Sequence, residues 1–253
     1  MLLAPLACLA LSMDGLTTRS IDLRNGQQLR LVEPTQNVDA SDEAIAAILG
    51  VGADVVKAQR EGLASFDDAE GQKLWPASVA FARTLVATVP SPVKGCDVVE
   101  IGGGLGVVGL TAALAGARSV LITDFQPRSL ELVEASAKAN GLGDIVSTHL
   151  LDWNSPGDLA ALGRFDLVLG SDIMYDKELT QLLVSNVVAP LLLSHQRDRS
   201  RPEPRALLVD PPLRPSRHLL PEVCAACGLY WGGESPVSEA DERDTVMINI
   251  LPA

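Results

Sequence analysis

From Asp97 onward, short apolar runs of strand length alternate with longer stretches in which apolar positions recur every three or four residues. The short runs are Val98–Ile101, Ser119–Thr123, Val146–Leu150, Leu167–Gly170 and Ala206–Val209. They predict the strands of a largely parallel sheet buried on both faces. Helices are predicted from about Val107, Pro127, Glu178 and Ser216. The chain closes with Leu229–Gly232 and Thr245–Leu251, with only a polar loop from Gly233 to Asp244 between them. No helix is available there for a crossover, so these two runs predict an antiparallel hairpin at the sheet edge. The pattern is that of a Rossmann-like α/β fold: seven strands, mostly parallel, with an antiparallel last one.

Before Asp97 the pattern changes. Ile21 to Val32 alternates apolar and polar on both sides of Asn25-Gly26, which predicts a hairpin. Ser41 to Glu61 is rich in Ala, Ile and Val, with Ser41 as an N-cap, and predicts a helix. Phe66 to Lys73 is polar and predicts a loop. Trp75-Pro76-Ala77-Ser78 opens a further helix through Val89, with Pro76 in its first turn and Pro90 and Pro92 beyond its end. The expected division is an N-terminal extension of hairpin and helix over residues 1–73 and a main α/β domain over 74–253. The first twelve residues are apolar but too short to span a bilayer, and the first basic side chain is Arg19. No membrane association is expected. Ser194 to Arg205 carries four arginines and two prolines and reads as a solvated loop.

Composition narrows the partners. The chain has 253 residues, 47% of them hydrophobic, enough for a folded core. A net charge of −12 argues against nucleic acid, whose phosphates call for a basic face, and suits a cationic substrate such as a lysine-bearing protein. Four cysteines predict a reduced, cytoplasmic protein. Cys224-Ala-Ala-Cys227 lacks a second Cys or His pair nearby, and His149, His195 and His218 have no ligand spacing, so no metal is expected. A monomer is the expected state.

The densest chemistry lies in Asp97-Val-Val-Glu-Ile-Gly-Gly-Gly-Leu-Gly106, a strand ending in an acid and followed by a glycine turn. Strand, glycine turn and helix open a nucleotide-binding unit, because the backbone must turn sharply and approach a ligand without a Cβ in the way. Two fingerprints overlap. Gly104-Leu-Gly106-Val-Val-Gly109 fits a dinucleotide turn. Glu100-Ile-Gly102-Gly103-Gly104-Leu-Gly106 fits the acid-x-G-x-G-x-G pattern for S-adenosyl-L-methionine (SAM). Three observations favour SAM. The strand ends at Ile101, so a pyrophosphate turn starts two residues late. Glu100 repels a phosphate and attracts the amino group of SAM's methionine part. Asp152-Trp153 follows the third strand, offering an acceptor for an adenine amine and an indole for its ring. Asp124, ending the second strand, suits ribose hydroxyls in either case.

Trp75-Pro76-Ala77-Ser78, the Glu100 to Gly106 loop, Thr123-Asp124, Leu151-Asp152-Trp153 and Ser171-Asp172-Ile-Met-Tyr175 together resemble methyltransferase family 16, a seven-strand SAM-dependent family that includes protein-lysine N-methyltransferases of chaperones and elongation factors. The resemblance implies SAM as cofactor, S-adenosyl-L-homocysteine as product, and a protein lysine as substrate. It places Trp75 at the border of the cofactor pocket, and Gly102, Gly103 and Gly104 around the methionine part. Asp124 falls on the ribose, Trp153 beside the adenine with Asp152 nearby, and Ser171 beside the cofactor. It puts Asp172 and Tyr175 at the reaction centre, where Asp172 orients a substrate amine and the Tyr175 phenol completes its hydrogen bonds. Leu105 stands where the family often has Thr, and residues 39–72 match nothing in the pattern. A small-molecule, histidine or arginine methyltransferase and a non-catalytic SAM-binding module remain open alternatives.

Overall fold

The computed structural model describes residues 16–34, 72–155, 159, 162–193, 201–211, 214, 216–237 and 245–253. The helix expected over 41–61 and most of the loop expected over 66–73 lie outside the described residues, as do the first twelve. The hairpin is present, as β1 (Leu16–Asp22) and β2 (Gln28–Pro34). Arg24 and Gly26 take positive φ in its loop, and Asn25 Oδ1 accepts from the Gln27 amide at 3.0 Å.

The main body is an α/β sandwich. Helix α1 (Pro76–Ala87) starts at Trp75 as N-cap, with Pro76 in the first turn. The order continues with β3 (Asp97–Ile101), α2 (Val107–Leu114), β4 (Ser119–Asp124), α3 (Pro127–Ala139), β5 (Val146–Leu150) and β6 (Leu167–Ser171). Helix α4 then runs from Lys177–Leu182 through a π-helical stretch, Leu183–Val188, into Ala189–Leu193. After it come β7 (Arg205–Asp210), α5 (Leu220–Ala226), β8 (Leu229–Pro236) and β9 (Val246–Pro252).

The seven strands form one sheet in the order β5-β4-β3-β6-β7-β9-β8. The first five in that order are parallel, and β9 runs antiparallel to both β7 and β8. The edge hairpin expected from sequence is therefore present. One expectation needs correction: β8 does not stop at Gly232. A bulge between Trp231 and Glu234, with Gly233 at φ 96°, lets the strand continue to Pro236. The polar residues beyond Gly233 had read as loop because a bulge breaks the two-residue alternation.

Alternation along each strand sends side chains to two cores. Val98, Leu167, Leu169, Leu207 and Val209 join α1, α2, α3 and the hairpin residues Leu29 and Leu31 on one face. Val99, Ile101, Val168, Ala206 and Leu208 join α4 and α5 on the other. The hairpin thus shares the main core. It is also tied to α3: the Ser136 hydroxyl accepts from the Val32 amide at 2.8 Å, and the Asn140 amide bonds both backbone groups of Arg30. Strand order reverses at β3, between β4 and β6, so a crevice opens at the carboxyl ends of these strands. Among the described residues, no helix is long and apolar enough to cross a membrane.

Candidate functional site

Four strands carry an acid at or next to their carboxyl ends: β3 carries Glu100, β4 ends at Asp124, Asp172 follows β6 and β7 ends at Asp210. The glycine loop follows β3 directly. Gly102, Gly104 and Gly106 have φ of 62°, 53° and 70°. This left-handed backbone is what glycine adopts at low cost. Space is also exhausted: a Cβ on Gly103 would lie 2.5 Å from Ile122, and one on Gly102 would lie 2.9 Å from Ile173 and 3.4 Å from the Trp153 ring. Gly106 is the N-cap of α2.

Asp124 is buried, and its two carboxylate oxygens hold the loop and the next helix. Oδ2 accepts from the Gly104 amide at 2.8 Å and Oδ1 from the Gln126 amide at 2.9 Å. Burial raises its pKa, while those amides oppose the rise. Glu100 differs from its expected role. It is 2% exposed, and Oε2 accepts from the Gly109 amide at 2.8 Å inside the first turn of α2. A Cβ on Gly109 would stand 2.6 Å from that oxygen. Glu100 therefore lies beneath the loop and caps the helix from below, instead of facing a cofactor amine. Burial pushes its carboxyl from the ordinary 4.5 up to about 8, against the pull of the Gly109 and Val108 amides.

Trp153 packs against Gly102 and Ile173, and its carbonyl accepts from Asn186 at 3.2 Å. Asp152 is exposed, and its Oδ1 closes a local turn by accepting from both nitrogens of Asn154, at 2.9 and 3.0 Å. Ser171 is half-buried at the end of β6, paired with Val209. Trp75 is half-buried, and its carbonyl accepts from the Ser78 amide and hydroxyl.

Asp172 stands out. It is 5% exposed, has φ 55°, and its amide donates to Val209 O at 2.9 Å. Its Oδ1 pairs with Nη2 of Arg214, and the same guanidinium lies over the Tyr175 ring, 5.2 Å from the centroid. Capping of α4 is done by Asp176, whose Oδ1 accepts from the Leu179 amide at 2.7 Å, so Asp172 is not a helix cap. Beside this group Asp210 is 0% exposed, with no partner for either carboxylate oxygen. Burial pushes its carboxyl up to about 7; the Arg214 cation pulls it back, and the neighbouring Asp172 adds to the rise.

A family model described as lysine methyltransferase matches residues 61–195, more than half of the chain. The chain belongs to the lysine methyltransferase family. It is 40% identical over 108 residues to Protein N-lysine methyltransferase METTL21A of Danio rerio, covering 42% of this chain and 48% of that protein. It is 28% identical over 127 residues to the electron transfer flavoprotein beta subunit lysine methyltransferase of Rattus norvegicus, covering 49% and 47%. The chain thus spans about half the length of the curated relatives it matches. The fold is shared more widely. The T. Thermophilus 16S rRNA N2 G1207 methyltransferase, solved in complex with AdoMet and guanosine, aligns with a TM-score of 0.58 at 18% identity over 94% of this chain and 51% of that one.

In this member of the lysine methyltransferase family, two residues of the candidate site carry no role in the sequence reading. Asp210 was legible in principle: it ends an apolar strand in an acid, as Asp124 does. Arg214 carried no signal, because only the fold brings it from beyond β7 to the end of β6. Among the described residues, no group of three or more His, Cys, Asp or Glu is placed to hold a metal ion.

Proposed function

We propose that this chain is a SAM-dependent N-methyltransferase acting on a protein side-chain amine, with lysine as the substrate residue. The residues present fit the cofactor. The left-handed glycine turn, packed so closely on Ile122 and Ile173 that a Cβ on Gly102 or Gly103 has no room, suits close approach of a ligand to its backbone; the buried Asp124, bonded to the Gly104 amide, would accept from ribose hydroxyls, and Trp153 lies beside Gly102. Gly102, Gly103, Gly104, Asp124 and Trp153 would hold SAM, with Trp75, Asp152 and Ser171 at its border. Glu100 and Gly106 would act indirectly, by fixing the loop on α2. Bound SAM supplies a methyl group on a positively charged sulfur.

The observation that carries this reading is the pairing at Asp172. A buried acid and an aromatic face together hold a cationic side chain at the end of β6, where a substrate amine is required. Asp172 would draw a lysine ammonium from water, and the Tyr175 ring and phenol would fix its direction. A lysine ammonium has no lone pair and an ordinary pKa near 10.4, so it must lose its proton before reacting. Holding the amine in one direction provides most of the effect of such a site.

The test is a methylation assay with labelled SAM on a whole-cell protein extract, resolved by mass and followed by analysis of the labelled residue. A discrete protein band carrying methyl-lysine is the expected result; methyl-arginine or an unlabelled extract refutes the lysine assignment. Asp172→Ala should lower turnover by roughly a hundredfold or more while calorimetric SAM affinity stays within about threefold. Loss of SAM binding instead would move Asp172 to the cofactor side.

A further inference from the structure

The cluster behind the reaction centre contains one cation and two carboxylates, and they are unevenly matched. Arg214 gives one terminal nitrogen to Asp172, and its guanidinium carbon lies over the Tyr175 ring. Its Nε is buried without a partner. Asp210 is fully buried, with both oxygens unpartnered, within electrostatic reach of Arg214 and Asp172. Unsatisfied buried groups are costly, and here a buried donor and a buried two-oxygen acceptor sit in one cluster. A guanidinium and a carboxylate form a bidentate fork when they meet side-on, through Nε and a terminal nitrogen. Arg214 uses no such fork on Asp172.

We propose that Arg214 is an internal stand-in for the substrate's cationic side chain, seated on Asp172 and Tyr175 until substrate arrives, and that Asp210 is the position it moves to. This rests on the methyltransferase reading above and adds a mechanism of selection to it. In the resting site Arg214 neutralises Asp172, so the acid is not left as an unpaired buried charge. An incoming ammonium displaces the guanidinium from Asp172, and Arg214 swings onto the waiting Asp210. Any proton on Asp210 passes to water. The opened site then holds two cations on two carboxylates. A neutral side chain cannot displace Arg214, so the site stays shut to it. Arg217 and Glu234, paired with each other at 3.4 Å, also act on Asp210, less strongly than Arg214 and Asp172.

The experiment is a titration of the purified full chain, loaded with S-adenosylhomocysteine, with Nα-acetyl-lysine methylamide, read by calorimetry or NMR. Arg214→Ala and Arg214→Met remove the competitor, the second with little loss of bulk, and each should bind the probe at least tenfold tighter than wild type. Asp210→Asn removes the alternative seat and should weaken binding at least fivefold. In an Arg214→Met background the same Asp210→Asn change should alter binding by less than twofold, because no arginine remains to be relocated. Thermal melts identify any variant that fails to fold, and the Met variant keeps the test alive if the Ala variant does not. Weaker probe binding in both Arg214 variants overturns the proposal, since it makes Arg214 a fixed support for Asp172. An Asp210→Asn effect of equal size in both backgrounds also overturns it. Absence of probe binding in every variant overturns it too. Intact S-adenosylhomocysteine binding would then show that only this inference fails, whereas its loss would show that the methyltransferase reading fails.

Discussion

Glu100 shows how one carboxylate can be read two ways from the chain alone. An acid at the end of a buried strand, next to a glycine turn, suits a cofactor's amino group and a helix N-terminus equally. The choice depends on which side of the loop the side chain emerges. That follows from strand alternation: Glu100 points to the α1–α3 face with Val98, under α2, and not with Val99 and Ile101. The consequence is measurable. Folded Glu100 stays protonated up to about pH 8, whereas unfolded Glu100 ionises near its ordinary 4.5. The native state therefore binds more protons across that window, and stability falls as pH rises through it. Thermal melts of wild type and Glu100→Gln should converge near pH 4.5 and separate toward pH 8, with the variant the more stable. Parallel curves would show that Glu100 is ionised in the fold. The glycines, Asp124 and Trp153 stand out as candidates in the chain alone because each lies at or just beyond a strand end with a motif around it. Arg214 does not, since nothing local in its proline-flanked segment points to β6.

At the scale of elements, most strands and helices of the main sheet follow the apolar pattern to within a residue or two, because each is buried on a predictable face; α5 starts at Leu220 and not near Ser216, since a 3-10 turn over Arg217–Leu219 precedes it. The departures have local causes. The bulge of β8 lets two glycines pass inside a strand, and a π-helical stretch widens α4 where periodicity alone predicts an ordinary helix. Alternation identifies the β1–β2 hairpin but not its docking. That is carried by Asn140 at the end of α3, whose side chain accepts from the Arg30 amide at 3.0 Å and donates to Arg30 O at 2.6 Å, as a neighbouring strand would. Asn140→Ala removes both bonds. It should cost about 1–2 kcal/mol and speed amide exchange in β2, with SAM affinity unchanged. Unchanged exchange would mean that the apolar contacts of Leu29 and Leu31 suffice.

At the scale of the molecule, the two ends of the sheet carry different kinds of charge. At the carboxyl end Asp172 holds a single arginine and Asp210 has no partner. The opposite end holds a closed network: Asp97 and Asp166 each pair with both Arg118 and Arg201. Arg118 and Arg201 hold the Asp97 carboxyl well below the usual carboxylate range. Arg201 had read as part of a solvated loop, but its Nε and Nη2 grip the buried Asp166 at 2.9 and 2.7 Å. A loop of arginines looks the same in sequence whether its charges face water or a sheet end. Asp166→Ala leaves both guanidinium groups on Asp97 alone and loses the bond from the Asp97 amide. A loss of about 2–3 kcal/mol in denaturant unfolding is expected. SAM affinity should stay within about twofold, because the network lies a full strand length from the crevice. A matching loss of SAM affinity would show the two ends to be coupled.

The backbone of Asp172, at φ 55°, sets a limit on how this site can change. A left-handed residue with a Cβ costs about 1 kcal/mol against glycine. Glycine is ordinarily the less stable partner when compared with alanine, since its unfolded chain is freer. At position 172 that order should invert: Asp172→Gly should melt a few degrees above Asp172→Ala, although both lack the carboxylate. The residue best suited to the backbone is thus one with no acid to offer. A change toward stability at this position would give up the carboxylate that the proposed reaction uses.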